Sequence, residues 1–279
     1  MTKELMKTAI IYDFDGTLAR GNIQEHSFIP DIGMTREEFW KEVGQRTRDE
    51  DADEILVYMH LMLERARSKG IDVTADMLQE HGRQAELFDG LTDRSWFIRL
   101  TKHAAAQGLA LEHYIISSGI HEMIRGCPIY DAFTQVFASK FIYEDGKAAW
   151  PGVAINYTTK TQYLFRVNKG IQNTWNDKDL NAYTPEEKRP IPFSRIIFLG
   201  DGDTDIPAMK MLTYQGGHSI AVYDPKRDDK DLSKIYGLIS DDRVNFVAPA
   251  DYSEDSPIDI IVKGILGRIA HKIDYRPEG

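Results

Sequence analysis

The sequence predicts an α/β protein in which a parallel sheet is flanked by helices and an all-helical segment is inserted after the first strand. Short apolar runs at residues 8–12 and 195–199 have strand character, and each leads into a turn that contains glycine and several aspartates. Between about residue 20 and residue 90, apolar residues recur instead at helical spacing, with no convincing strand. Strands that are distant in the sequence can then meet in one sheet, with their carboxyl ends at a common edge.

This pattern divides the chain into two domains. We expect an α/β core domain built from residues 1–19 and 109–279, and a helical cap domain formed by residues 20–108. The chain has 279 residues, of which 42% are hydrophobic, so it is long enough to bury a substantial core in this arrangement.

The composition restricts the partners that we expect. The net charge is −10, so the protein has no general electrostatic attraction for nucleic acid or for an anionic membrane surface. No apolar run approaches the length of a signal peptide or of a transmembrane helix. The only cysteine is Cys127, which excludes a disulfide within the chain and favours a reducing compartment. We therefore expect a cytoplasmic protein that binds neither nucleic acid nor membrane, and its oligomeric state stays open.

Three helices are expected in the insert. The first begins at a capping box formed by Thr35 and Glu38, in which each side chain can accept the other residue's backbone N–H. The second carries an apolar stripe that ends at Gly70. The members of this stripe are Ile55, Leu56, Met59, Met62, Leu63 and Ala66. The third helix runs from about residue 74 to residue 88.

The α/β pattern resumes after the insert. Strands are expected at residues 114–116, 137–143, 148–155, 195–199, 219–223 and 245–248, and helices at 96–107, at 160–169, after Asp205 and from Pro257 onward. Thr158 or Thr159 is placed to cap the helix at 160–169, and Ser256 is placed to cap the last helix. The polar segment 171–194 is typical of a long surface loop. Together with the preceding hairpin it forms an insertion from about residue 144 to residue 193, which would cover the site or form a contact surface.

Carboxylates cluster where two of the predicted strands end. Asp13 and Asp15 follow the first strand, and alternation along an extended chain points both to the same side. A second acidic turn, with Asp201 and Asp205, follows the strand at 195–199. Like charges this close are costly unless a cation or a shared proton relieves them. Because carboxylate oxygens are the ligands that a hard divalent cation takes, the sequence predicts a Mg²⁺ site at this edge of the sheet.

Four short motifs, in this order along the chain, resemble those of the haloacid dehalogenase superfamily, most of whose members are phosphatases. They are Asp13-Phe14-Asp15-Gly16-Thr17, the serine that ends Ile115-Ile116-Ser117, Lys160 at a helix start, and Gly200-Asp201-Gly202-Asp203-Thr204-Asp205. The helical insert between the first two motifs resembles the cap of phosphoserine-phosphatase-like members. The resemblance implies a Rossmann-like core and a Mg²⁺-dependent phosphatase that acts on a small phosphorylated metabolite.

The resemblance also implies what the motif residues do. Asp13 would attack phosphorus and form an aspartyl-phosphate, a task for which a carboxylate needs no activating base. Asp15 would give a proton to the leaving group and then take one from the attacking water. That role requires Asp15 to begin protonated, and crowding beside Asp13 would help to raise its pKa.

The remaining motif residues are expected to bind the metal or the phosphoryl group. The family's metal ligands correspond to Asp13, the backbone carbonyl of Asp15, and Asp201, while Asp205 is either a further ligand or holds a metal-bound water. The phosphate-binding residues are Ser117, Ser118, Gly119 and Lys160. Position 203 is variable in the family, so Asp203 is expected to be a turn residue.

Several alternatives stay open at this level. Lys140 and Lys169 are rivals of Lys160 for the third motif. The same phosphoenzyme could pass its phosphoryl group to a second hydroxyl, as in a phosphomutase or phosphotransferase, or the scaffold could serve a non-catalytic binding protein. Phosphoserine is unsupported as the substrate, because Asn22 stands where phosphoserine phosphatases typically carry a carboxylate, although Glu25 is close.

Overall fold

The structure is a computed structural model that describes residues 5–202, 204–226 and 237–274, so that Asp203 lies outside the described residues. Within this part of the chain, one sheet has the strand order β4-β3-β2-β1-β5-β6-β7. The strands are β1 (Met6–Tyr12), β2 (Leu109–Ile120), β3 (Gln135–Glu144), β4 (Lys147–Val153), β5 (Ile196–Gly200), β6 (His218–Tyr223) and β7 (Phe246–Pro249). Neighbouring strands are parallel except β3 and β4, which form an antiparallel hairpin. The predicted fold class is therefore confirmed.

Helices cover both faces of the sheet and make up the insert. They are α1 (Phe28–Asp31), α2 (Arg36–Asp49), α3 (Glu54–Ser68), α4 (Ala75–Gly82), α5 (Ser95–Ala106), α6 (His121–Gly126), α7 (Lys160–Lys169), α8 (Asp177–Asn181), α9 (Ile206–Tyr214) and α10 (Pro257–Asp274). None of these described helices has the length and apolarity that crossing a membrane would require.

Strand β1 is buried on both faces, and its residues alternate between two apolar clusters. Ile10 and Tyr12 belong to the cluster that includes α5, α10 and the insert. Ala9 and Ile11 belong to the cluster that includes α7 and α9. Successive side chains of a strand point to opposite faces, so a strand covered on both sides is a continuous apolar run in the sequence. This is why residues 8–12 predict the first strand.

The helix α5 packs on the sheet, although the predicted boundary at residue 108 assigns it to the cap domain. It contacts β2 and α10. The indole N–H of Trp96 donates to Tyr12 Oη at 2.9 Å, and Arg99 Nε pairs with Asp259 Oδ1 of α10 at 3.0 Å. We therefore propose that the helical insert ends before Ser95 and that α5 belongs to the core domain.

The third predicted helix of the insert is shorter than its sequence pattern suggests. It ends at Gly82 instead of continuing to about residue 88. The backbone beyond it pairs with the loop that follows β1. Arg20 N–H donates to the Glu86 carbonyl at 2.8 Å, and Phe88 N–H donates to the Leu18 carbonyl at 3.0 Å. These tertiary hydrogen bonds use backbone groups that a helix would pair internally, so they override the local helical pattern.

Three smaller sequence predictions also need correction. Leu56, predicted as part of the buried stripe of α3, is 44% exposed. The side chain of Thr159 makes no capping hydrogen bond to α7, because its hydroxyl accepts the N–H of Asn156 at 2.8 Å and donates to the Asn156 carbonyl at 3.2 Å. The segment 171–194 contains the short helix α8 and is therefore not wholly a loop.

Two glycines bring α4 of the insert into backbone contact with α6, the helix that follows β2. A Cβ on Gly82 would lie 1.8 Å from the carbonyl oxygen of Met123, and a Cβ on Gly126 would lie 1.9 Å from the carbonyl oxygen of Gln79. Neither position has room for a side chain. The reciprocal contact therefore holds the two helices at a separation that only glycine permits.

We expect Gly126→Ala to lower the free energy of unfolding by about 2 kcal/mol or more, because the added methyl group must push α4 and α6 apart. Gly264→Ala is the matched control. Gly264 lies in α10 with no atom within 4 Å of an added Cβ, and there alanine should stabilise the helix by up to about 1 kcal/mol. Urea denaturation followed by circular dichroism measures both variants. Equal stability of the two would contradict the close packing of α4 and α6.

Candidate active site

The site lies where the neighbouring strands β2, β1 and β5 end. Asp13 directly follows β1, and its N–H still donates to the Leu199 carbonyl of β5 at 2.9 Å. Asp201 directly follows β5, and Ser117 lies near the end of β2. Because the three strands are parallel and adjacent, their carboxyl ends bring residues from distant parts of the sequence to one edge.

Three aspartates form a compact group at this edge. One carboxylate oxygen from each of Asp13, Asp201 and Asp205 lies within 4.8 Å of the others. Asp205 precedes the first residue of α9 and is fully buried. Glycine is needed on the facing turn: Gly16 has a φ of +71°, and a Cβ there would lie 2.5 Å from Asp201 Oδ2. The predicted convergence of the two acidic turns is therefore present in the structure.

Lys160 places a buried positive charge among these carboxylates. Its Nζ lies 3.0 Å from Asp13 Oδ2 and 2.6 Å from Asp205 Oδ1, and the residue is 1% exposed. Burial alone would lower the pKa of Lys160, but the charges of Asp13 and Asp205 more than offset this and raise it. The ammonium group therefore stays charged and offsets part of the negative charge of the aspartates.

The rivals of Lys160 lie elsewhere. Lys140 is an exposed residue of β3. Lys169, at the last position of α7, donates through Nζ to the carbonyl oxygens of Leu180 and Ala182 at 2.5 and 2.7 Å. Of these three lysines, the structure brings only Lys160 to the carboxylate group.

The carboxylate group suits a hard divalent cation. Its donors are all oxygens, which Mg²⁺ and similar ions prefer. Asp205 Oδ2 is buried, and it has no hydrogen-bond partner among the described residues. A Cβ on Gly200 would lie 2.1 Å from Asp205 Oδ2, so only glycine at this position leaves room for that oxygen. Three carboxylates against one lysine also leave surplus negative charge, which a divalent cation would neutralise.

Asp15 lies beside this group but is not part of the carboxylate cluster. Its Oδ1 accepts the N–H of Ile23 at 2.8 Å. Burial, and then the neighbouring charge of Asp13, raises the pKa of Asp15 well above its ordinary value. A Cβ on Gly119 would lie 2.8 Å from Asp15 Oδ2, so the carboxyl group reaches the end of β2. Asp15 is thus placed between the end of β1 and the predicted phosphate-binding segment.

The predicted phosphate-binding segment lies within an irregular end of β2. The strand continues to Ile120, and its pairing with β3 shifts register between Ser117 and Ile120. Ser117 Oγ is buried and accepts the N–H of Gly119 at 3.0 Å. The Ser118 carbonyl accepts the hydroxyl of Tyr58 from α3 at 2.6 Å. This bond links the segment to the insert.

A cavity of about 530 Å³ opens over the site. Its floor includes the predicted site residues Asp13, Asp15, Ser117, Ser118, Lys160 and Asp201. Its walls include residues that sequence reasoning did not assign to a site. Among them are Arg36, Glu37, Trp40, Glu54, Tyr58 and Tyr157, together with Glu25, which was noted only for its closeness to Asn22. The helical spacing of Trp40 and Tyr58 gives no sign of a site, and no local motif marks the other wall residues.

Comparisons with known proteins found a related sequence and similar folds. A protein of Borreliella burgdorferi described as uncharacterized is 27% identical over 278 residues, which cover 90% of this chain and 93% of that protein. Similar folds occur in a haloacid dehalogenase family hydrolase of Salmonella enterica serovar Typhi and in a phospho-aspartyl intermediate analogue of phosphoserine phosphatase. The first has a TM-score of 0.55 at 17% identity and covers 94% of this chain and 72% of its own. The second has a TM-score of 0.54 at 15% identity and covers 93% of this chain and 99% of its own.

The family is given by a sequence match that spans the whole site. The profile of the haloacid dehalogenase-like hydrolases matches residues 10–210, from β1 into α9. All four motifs lie within that range, and the sheet order and the acidic edge described above provide their structural setting. The chain therefore belongs to the haloacid dehalogenase-like hydrolase family.

Proposed function

We propose that this hydrolase is a Mg²⁺-dependent phosphatase that cleaves a small phosphomonoester through an aspartyl-phosphate. One observation carries the proposal. The buried ammonium group of Lys160 bridges Asp13 and Asp205 at the floor of an open cavity, and one carboxylate oxygen of Asp201 lies within 4.8 Å of an oxygen of each. A phosphomonoester carries nearly two negative charges at neutral pH, so a carboxylate can attack it only where cations offset the repulsion.

In the first step, an oxygen of Asp13 attacks phosphorus. The new bond joins the Asp13 carboxylate oxygen to phosphorus, and the bond between phosphorus and the ester oxygen breaks. The leaving alkoxide takes the proton of Asp15, whose raised pKa favours the protonated form at the start. The products are the free alcohol, the aspartyl-phosphate and ionised Asp15.

In the second step, water hydrolyses the aspartyl-phosphate. Ionised Asp15 takes a proton from the water as the water oxygen attacks phosphorus. The bond between phosphorus and the Asp13 oxygen breaks, which releases inorganic phosphate and restores both carboxyl groups. Asp15 therefore acts first as an acid and then as a base, as the sequence analysis expects.

The remaining residues position and neutralise the phosphoryl group. Asp13, Asp201 and the backbone carbonyl of Asp15 would hold the Mg²⁺, with Asp205 beside them. When bound, the cation supplies positive charge that stabilises the phosphoryl oxygens in the transition state. Lys160 orients Asp13 and offsets its repulsion of the phosphate. The backbone and hydroxyl groups of Ser117, Ser118 and Gly119 would bind the phosphoryl oxygens.

We expect the purified protein with Mg²⁺ to release phosphate from p-nitrophenyl phosphate, and Asp13→Asn to reduce kcat by about 10³-fold or more, because an amide is not a nucleophile for phosphorus. Phosphate release and circular dichroism are measured on both proteins. The spectra should match, since the amide has nearly the shape of the carboxylate. Phosphate release by Asp13→Asn at the wild-type rate would rule out Asp13 as the nucleophile.

We expect Mg²⁺ to raise the Tm of the protein after chelator treatment, because a cation that binds only the folded site adds up to about 2.7 kcal/mol at a hundredfold excess over its Kd. Asp201→Asn should remove most of this shift. Asp72→Asn, which changes an exposed carboxylate that pairs with Lys147 and does not line the cavity, is the control and should keep the shift. Equal shifts in all three proteins would place the cation elsewhere.

We expect Asp15→Asn to slow hydrolysis of an alkyl phosphate by about 10²- to 10⁴-fold, because an alkoxide is a poor leaving group without a proton. Formation of the phosphoenzyme from p-nitrophenyl phosphate should fall much less, because nitrophenolate leaves readily unprotonated. The burst of nitrophenol in a single turnover measures this step alone. An equal loss with the two substrates would show that Asp15 does not protonate the leaving group.

A further inference from the structure

The cavity extends beyond the reacting groups, and its walls determine which leaving group fits. The charged residues of these walls are Glu25, Arg36, Glu37 and Glu54. Together they carry three negative charges and one positive charge. The wall is therefore acidic before any substrate binds, in addition to the acidic floor.

The single positive charge of the wall is already paired. Arg36 Nε lies 3.1 Å from Glu25 Oε2. The same Glu25 carboxylate accepts hydrogen bonds from Trp40 Nε1 at 2.5 Å and from Asn22 Nδ2 at 2.6 Å. Its oxygens are thus occupied, and Arg36 has a carboxylate partner within the protein. Among the described residues that line the cavity, Lys160 is the second cation, and it is paired with Asp13 and Asp205.

Two carboxylates of the wall are left to face a ligand. Glu54, at the first position of α3, accepts the hydroxyl of Tyr157 at 2.8 Å. No described lysine, arginine or histidine forms an ion pair with Glu54 or with Glu37, both of which line the cavity. An unpaired carboxylate attracts a cation and repels a carboxylate.

Three aromatic residues share these walls. Trp40 and Tyr58 pack edge to face, with ring centroids 5.8 Å apart, and Tyr157 lines the cavity beside Glu54. The polar group of each ring makes a hydrogen bond. The indole N–H of Trp40 donates to Glu25, the hydroxyl of Tyr58 donates to the Ser118 carbonyl, and the hydroxyl of Tyr157 donates to Glu54. The rings are therefore fixed in place before a ligand arrives. Aromatic rings attract alkylammonium groups, and quaternary ammonium groups above all.

We propose that the leaving group of the substrate carries an alkylammonium charge, so that the substrate is the phosphate monoester of a compact amino alcohol. The proposal rests on the phosphatase function given above. The phosphate would occupy the floor, and the ammonium group would lie among Trp40, Tyr58 and Tyr157, close to Glu54. A leaving group with a carboxylate would meet Glu54 and Glu37 and no unpaired cation of the described wall.

The test compares substrates of one shape and different charge. Phosphocholine and 3,3-dimethylbutyl phosphate differ only in the replacement of a quaternary nitrogen by carbon. We expect kcat/KM to be about tenfold or more higher for phosphocholine, since a desolvated cation–aromatic contact supports a difference of that size. Phosphoethanolamine, assayed alongside, distinguishes a primary from a quaternary ammonium group. A higher kcat/KM for either phosphocholine or phosphoethanolamine than for 3,3-dimethylbutyl phosphate supports the proposal.

Variants of the wall test where the preference arises. Glu54→Gln should lower the ratio of kcat/KM between phosphocholine and the neutral isostere by about fivefold, because one full charge is removed from the wall. Glu50→Gln is the matched control, since Glu50 is an exposed carboxylate that precedes α3 by a few residues and does not line the cavity. It should leave the ratio unchanged. The ratio is a property of each folded protein, so partial loss of active enzyme does not alter it.

Two results would overturn the proposal while leaving the phosphatase function intact. One is hydrolysis of the neutral isostere as fast as phosphocholine and phosphoethanolamine, and the other is a preference for 3-phosphoglycerate, whose leaving group is anionic. Failure to hydrolyse any phosphomonoester, including p-nitrophenyl phosphate, would instead contradict the proposed function. In that case calorimetric binding of phosphocholine and of its neutral isostere to the Mg²⁺-loaded protein still decides the proposal, and equal affinities would reject it.

Discussion

The whole site depends on the compensation of charge at one edge of the sheet. Asp13 and Asp205 are buried there because the ammonium group of Lys160 lies within 3.0 Å of each. A buried ion without such a partner would cost several kcal/mol, so each of the three residues requires the others. The helix α7 has to begin where its first side chain can reach both acidic turns, and it packs on β2 and α9 in a position that allows this. The position of α7 in the core and the charge balance of the site therefore depend on each other.

Much of the core could be predicted because its signals are local. The apolar runs of β1 and β5 end at Asp13 and Asp201, and the parallel sheet then brings those ends together. Lys160 could be placed because α7 begins at that residue and ends before Gly170, which adopts a left-handed φ of +70°. The capping box of Thr35 and Glu38 is also present as expected. In each case the signal that predicts the element, a strand end, a helix boundary or a cap, is local in the sequence.

The walls of the cavity could not be predicted in this way. Trp40 and Tyr58 have the spacing of core residues, and they face the site only because of how α2 and α3 lie over the sheet. Tyr157 comes from a loop whose position depends on the hairpin of β3 and β4. The end of α4 was missed for a related reason, since the backbone after Gly82 pairs with the loop that follows β1. Long-range packing decides these features, and a single sequence carries no local signal for it.

The glycine contact between α4 and α6 has a consequence for how the insert can move. Because the backbones of these helices touch at Gly82 and Gly126, any displacement of α4 from the sheet would have to separate a close backbone contact. Helix α3 is linked to the end of β2 by a side-chain hydrogen bond, from the hydroxyl of Tyr58 to the Ser118 carbonyl. A side-chain bond of this kind can break and re-form without moving the backbone, so the insert is anchored most rigidly at α4.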